Sequence, residues 1–163
     1  MTMNTNVRLD EQCYFVQASA IGALTTTVGD TTYVSMKNYS RVSIIIDVTN
    51  ATTVTGGAVT LKQATAVAGT GEKALAFTRM LANTDVGAGQ TMAETAVTSN
   101  TFTTDTTNSK RLRYVIDVQA SDLDVANGFD CLRVDVTGSV NSTGMVSYAL
   151  YGARYSGASP MAD

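Results

Sequence analysis

Asp122, Asp124, Asn127 and Asp130 crowd one short stretch of the chain. Carboxylate and amide oxygens at this density are what a Ca²⁺ ion collects, about six to eight at a time. The spacing departs from the EF-hand loop, because the glycine and the acidic positions are out of register. The same residues also read as a capped helical turn, with Ser121 at the N-cap, Asp124 three residues later and Gly128 ending it. The turn, with solvated acids, is the expectation. Gly69-Thr-Gly71-Glu-Lys73 resembles a phosphate loop but lacks the full Gly-x4-Gly-Lys-Ser/Thr spacing, so a turn between strands is expected there too. Serine and threonine abound, yet a hydroxyl nucleophile needs an activating base. The chain has no histidine, the commonest general base and metal ligand, and no Ser-x-x-Lys pair. A carboxylate pair for glycoside hydrolysis would have to be assembled in space from acids that sit mostly in turns. No catalytic, cofactor or metal residue is therefore expected, and the chain is expected to work by contact.

The elements that carry these residues must fit a sparse palette. Only 15% of the 163 residues are charged, there is no tryptophan, and Pro160 is the one proline. One domain suits this length, and a chain of this size can bury about 70% of its unfolded surface. A hydrophobic fraction of 44% excludes a disordered class. So few charges suggest a surface partly covered by other subunits. The net charge is −3 and the basic residues are scattered apart from Lys110, Arg111 and Arg113, which disfavours nucleic acid. No apolar run approaches a membrane span, and Met1 to Asp10 carries no basic run before an apolar stretch, so no secretory signal is expected. Cys13 and Cys131 are expected as buried reduced thiols; the alternative is a bridge tying the N-terminal arm to the last sheet or to a neighbouring subunit.

Threonine-rich segments alternating apolar and polar residues suit pleated, half-buried strands. Residues 1–12 read as a polar arm and 13–18 as a short strand. Residues 25–30 read as a turn-rich connector. In 31–37, Thr32, Val34 and Met36 share one face, with Tyr33 and Ser35 opposite. The clearest strand is 41–48, with Val42, Ile44, Ile46 and Val48 on one face. A threonine-rich loop is expected over 50–57 and a strand over 58–66. A strand is favoured over a helix for 73–82, followed by a loop at 83–89. Residues 91–97 and 100–104 form a candidate hairpin, and 105–110 a polar turn. Strands follow at 112–118 and 129–137, the latter with Leu132, Val134 and Val136 on one face and Cys131, Arg133 and Asp135 on the other. A turn at 138–144 leads to a last strand over 145–155. About eight to ten strands separated by turn signals predict an all-β, two-sheet β-sandwich, jelly-roll-like, with an extended N-terminal arm. Its expected extents are 1–12 for the arm, 13–156 for the sandwich and 157–163 for a polar C-terminal tail.

The last strand carries Tyr148 on one face and Tyr151 and Tyr155 on the other. Tyr148 is expected in the core. Tyr151 and Tyr155, beside Arg154, are interface candidates, since tyrosine and arginine are enriched at interfaces. Val7, Leu9, Tyr14 and Phe15 are further candidates, because the arm either frays or docks on a neighbour.

Three stretches carry a resemblance. Leu61-Lys-Gln-Ala-Thr-Ala-Val-Ala-Gly-Thr-Gly-Glu-Lys-Ala-Leu-Ala-Phe77, Asp122-Leu-Asp-Val-Ala-Asn-Gly-Phe-Asp-Cys-Leu-Arg-Val-Asp-Val136 and Tyr148-Ala-Leu-Tyr-Gly-Ala-Arg-Tyr155 resemble virion structural proteins of tailed bacteriophages, most like capsid cement (decoration) proteins. The resemblance runs from about Lys37 to Tyr155 and contains no catalytic signature. It implies a non-enzymatic protein of the virion, made in the host cytoplasm. Such a protein binds the outer capsid surface and clamps neighbouring copies of the major capsid protein. It also implies a homo-oligomer, with a trimer at local threefold positions favoured. A head–tail connector or tail component is the alternative within the virion, and a carbohydrate-binding jelly-roll module the alternative outside it.

Overall fold

A computed structural model of the protein describes residues 12–153 and 160–161. Twelve strands run in chain order: β1 (Cys13–Gln17), β2 (Gly22–Ala23), β3 (Val34–Ser35), β4 (Arg41–Thr55), β5 (Ala58–Ala64), β6 (Lys73–Ala74), β7 (Arg79–Asn83), β8 (Ala93–Ala96), β9 (Thr101–Thr103), β10 (Arg111–Gln119), β11 (Cys131–Thr137) and β12 (Val140–Tyr151). The larger sheet has the order β1-β12-β4-β10-β7-β8, with β2 also on β12; the smaller is β3-β11-β5-β6, with β9 also on β5. Every pairing between these strands is antiparallel. With β2, β6 and the β7–β8 hairpin set aside, β1-β12-β4-β10 faces β3-β11-β5-β9. That order is the double Greek key of a jelly roll. The β7–β8 hairpin is an insertion that widens the larger sheet at β10.

The alternation in the sequence explains which face of each strand is buried. Val42, Ile44, Ile46 and Val48 of β4 are buried, as are Leu112, Tyr114, Ile116 and Val118 of β10. They meet Val59, Leu61, Leu132, Val134 and Val136 from the smaller sheet in one core. Tyr148 joins the sheets at their centre: its hydroxyl lies 2.5 Å from Thr31 Oγ1 and accepts the Val134 N–H at 3.1 Å. Burial of this phenol pushes its pKa up.

Several local expectations are corrected. The turn-rich connector at 25–30 is built on a single π turn, Leu24–Val28, that buries Leu24 and Val28. In 31–37 only Val34–Ser35 pairs as a strand, and Thr31, Tyr33, Ser35 and Met36 are all buried, so alternation does not separate an inner from an outer face. The loop expected at 50–57 is mostly strand. β4 continues to Thr55 because buried Asn50 anchors it, donating to the carbonyls of Asp105 and Thr107 at 2.9 and 3.0 Å. The strand expected at 73–82 splits into β6 and β7, which lie in different sheets, with Leu75 and Phe77 buried along the crossing. The expected hairpin of 91–97 and 100–104 does not form. β8 pairs with β7 and β9 with β5, since Val97 and Phe102 carry the chain across the core between the sheets.

The turn at 121–127 is two short 3₁₀ turns, Ala120–Asp122 and Val125–Asn127; Gln119 and Asp122, and not Ser121, form the capping box of the first, and Asp124 is the N-cap residue of the second without a side-chain cap bond. Gly128 ends the second with a φ of +80°, as its type allows. The turn expected at 138–144 shrinks, because β12 starts at Val140 with a register irregularity before Ser142, and the last strand ends at Tyr151. Cys13 and Cys131 are buried thiols on different sheets.

Candidate functional site

β1 forms one border of the larger sheet, and β12 is its strand partner among the described residues. Its register sets Tyr14 opposite Leu150 and Phe15 opposite Ala149. Leu150 belongs to the core, so Tyr14 lies on the inward face, beyond the core's margin, with its ring 6.5 Å from that of Tyr39. Phe15 lies on the outward face. Both rings are exposed, Tyr14 at 46% and Phe15 at 53%, while Val16, next along β1, packs on the core. Tyr151 pairs with Cys13 and shares the outward face with Phe15, one step along the ladder, and is half-buried. The structure thus brings three candidates, Tyr14, Phe15 and Tyr151, to one sheet border. Val7, Leu9, Arg154 and Tyr155 lie outside the described residues. Ile21, 73% exposed in the connection between β1 and β2, adds an apolar side chain to the same border. The sequence reading missed it; an isoleucine directly before a short glycine turn was the available signal.

A second cluster had no counterpart in the sequence reading. On the outward face of the smaller sheet, Lys62 of β5 and Arg133 and Asp135 of β11 meet Glu72, which arrives on the 65–72 turn. Lys62 Nζ pairs with Asp135 and, at 2.6 Å, with Glu72. Arg133 contacts Glu72 at 2.9 Å, and its guanidinium lies 5.0 Å from the centre of the Tyr33 ring. Arg133 Nε is also 2.9 Å from Asp135 Oδ1, an ionic contact without hydrogen-bond alignment. The Tyr33 hydroxyl donates to Glu72 Oε2 at 2.6 Å. Burial pushes the Asp135 carboxyl up against the pull of Lys62 and Arg133, whereas Lys62 and Tyr33 hold Glu72 below the usual carboxylate range. Burial, then the bond to Glu72, raises Tyr33.

One acid shifted up and one shifted down is the pattern of an acid–base pair. Here both acids are locked onto cations, so neither is poised to exchange a proton with a substrate. What the arrangement does is fasten the 65–72 turn over Ala64 and Cys131, which with Tyr33 form a small second core. In the sequence nothing marks them as one site, since Lys62, Arg133 and Asp135 fall on the polar phase of their strands and Glu72 in a turn.

The residues that first suggested chemistry are engaged elsewhere. Asp124 pairs with Lys73 and accepts two hydrogen bonds from Asn127; Asp122 accepts the Gln119 N–H at 2.8 Å; Asp130 accepts from the Cys131 thiol. Among the described residues no three His, Cys, Asp or Glu side chains converge as metal ligands. Gly69 and Gly71 take left-handed conformations in a tight turn closed by Thr65 N–H to Thr70 O, and Lys73 lies over the Phe129 ring. Among those residues no helix is long and apolar enough to cross a membrane.

Comparison of the chain with protein-family models, curated proteins and solved structures found no match.

Proposed function

We propose that this protein is a non-enzymatic structural protein of a tailed-phage virion, a cement protein that binds the outer capsid surface and clamps neighbouring capsid subunits. The observation that carries the reading is the β1 border, where Tyr14 and Phe15 present adjacent exposed rings on opposite faces of a strand that is outermost among the described residues. Soluble proteins usually blunt such borders with charge, proline or a covering element. An apolar strand left at the border suits addition of a partner's strand, with main-chain hydrogen bonds for affinity and the rings for specificity. The jelly roll supplies a rigid support, and low surface charge reduces the desolvation cost of each contact. Many weak contacts on a repeated lattice then add through avidity, which fits a closed oligomer, with a trimer the favoured state. The resemblance in three stretches of sequence points the same way.

Quantitative mass spectrometry of purified virions tests the reading. About one copy per capsid subunit is the expected result. A dozen or fewer copies would move the protein to the neck or tail, and its absence from virions would overturn the proposal.

A further inference from the structure

A cleft of about 570 Å³ opens where the start of β4, the end of β10 and the crossing segment before β7 meet. Small-ligand sites occupy about 300–1,000 Å³. Its chemistry is set by Arg41, Arg79, Asp117, Gln119 and Asp122, with Phe77 behind them. We propose that this cleft binds a neutral saccharide through vicinal hydroxyl groups. The inference is independent of the virion reading.

The charges argue for a neutral ligand. Two guanidiniums and two carboxylates line the cleft, Arg41 paired with Asp117 and Arg79 with Glu94, so a charged ligand of either sign meets a like charge or an ion pair it must displace. The polar groups are also held in place before any ligand arrives. Asp117 is fixed on both oxygens, by Arg41 and by Ser43 Oγ at 2.5 Å. Arg79 is steadied at Nη1 by Glu94 at 3.0 Å. Gln119 and Asp122 form a reciprocal capping box: Asp122 Oδ2 accepts the Gln119 N–H at 2.8 Å, and the Gln119 side chain accepts the Asp122 N–H.

That box orients what remains. Asp122 keeps Oδ1 as an acceptor and the Gln119 amide keeps its NH₂ as a donor, both on exposed residues that line the cleft. The remaining N–H groups of Arg41 and Arg79 add donors around them. A sugar hydroxyl donates and accepts at once, so two adjacent hydroxyls match an acceptor flanked by donors. Phe77, a core residue edge-on to Phe102 at 6.4 Å, lines the floor of the cleft and makes it apolar. Groups already fixed in position lose little entropy on binding.

Saturation-transfer NMR on the full chain tests this, with the methyl glycosides of glucose, galactose, mannose, rhamnose and N-acetylglucosamine as probes at millimolar concentration. At least one probe is expected to receive saturation. Calorimetry with that probe should show binding weakened at least tenfold by Asp122→Asn, which keeps the cap acceptor but turns Oδ1 into a donor. Arg79→Gln, on the exposed rim, should weaken it several-fold with no change in thermal midpoint. Saturation of none of the probes overturns the proposal, and so does binding that both variants leave unchanged.

Discussion

Gly144→Ala is the sharpest test of the packing that makes this fold a jelly roll. Gly144 lies on β12 opposite Val48 of β4, at the pairing that joins the two long central strands. A Cβ there would sit 2.4 Å from the Asp47 carbonyl oxygen and 2.9 Å from Leu24 Cδ1. The nearer atom is backbone, so relief requires β4 and β12 to separate by about an ångström. Overpacking of this kind costs about 1–3 kcal/mol, and each ladder hydrogen bond stretched out of range adds about 1 kcal/mol. The expected total is about 3–4 kcal/mol, a fall of roughly 10 °C in thermal midpoint for a domain of this size. Gly128→Ala is the control. Gly128 has a φ of +80° and nothing within 4 Å of its Cβ. Its substitution therefore carries only left-handed strain, about 1–2 kcal/mol. Urea titration followed by tyrosine fluorescence and circular dichroism measures both. Equal losses in the two variants would refute the close approach of β12 to β4 and the register built on it.

Replacing Phe15 with serine should change the unfolding free energy by less than about 1 kcal/mol, because the ring is mostly in solvent. The same change should abolish co-sedimentation with capsids, and full binding by the variant would separate β1 from the contact. Asp135→Ala should cost about 2–3 kcal/mol, since it leaves Lys62 and Arg133 sharing Glu72; this is less than the 3–5 kcal/mol of a fully buried pair because Lys62 is partly solvated. A double-mutant cycle with Lys62→Ala should recover part of that loss, and strict additivity would show that the two do not interact. Stability should fall in alkali. Burial raises Tyr33, Tyr114 and Tyr148, and Asp135 and Glu72 raise Lys62. The stability these groups contribute is complete below their unfolded values, near pH 10, and is lost as pH rises through the higher folded ones. A urea midpoint that holds steady across that range would contradict it, and Tyr148→Phe should make the fall shallower.

The strands legible in the sequence are those with one face in the core and one in water. β4 and β10 meet that condition, and their buried positions follow directly from a period of two. Alternation loses its meaning where both faces are covered. Tyr33 and Ser35 are as buried as Val34 and Met36, and Cys131 and Asp135 as buried as Val134, because the 65–72 turn lies over the outward face of the smaller sheet. The Asn50–Thr55 stretch was read as a loop from its polarity, although strand propensity in threonine survives wherever a neighbour supplies hydrogen bonds. The false hairpin has a different cause. Adjacent strands pair by default, and nothing local to 97–102 signals that Val97 and Phe102 lead the chain through the core to the other sheet.

The same distinction separates the two clusters on the surface. That one of Tyr14 and Phe15 lies exposed is legible in the sequence, because two adjacent aromatics on a single strand cannot both face the core. Lys62, Glu72, Arg133 and Asp135 were not legible, because their meaning depends on register: β11 sets Arg133 opposite Lys62 and Asp135 one step away. On the larger sheet, register likewise turns repeated chemistry into neutrality. Arg41-Val-Ser-Ile-Ile-Ile-Asp47 and Arg111-Leu-Arg-Tyr-Val-Ile-Asp117 run antiparallel, so Asp47 falls beside Arg113 and Asp117 beside Ser43, within reach of Arg41. Charges spent on one another within the sheet leave that face little field with which to draw a charged partner from solution. For the capsid partner proposed above, recognition would then rest on shape, apolar contact and main-chain hydrogen bonds, which is what the proposal asks of the β1 border.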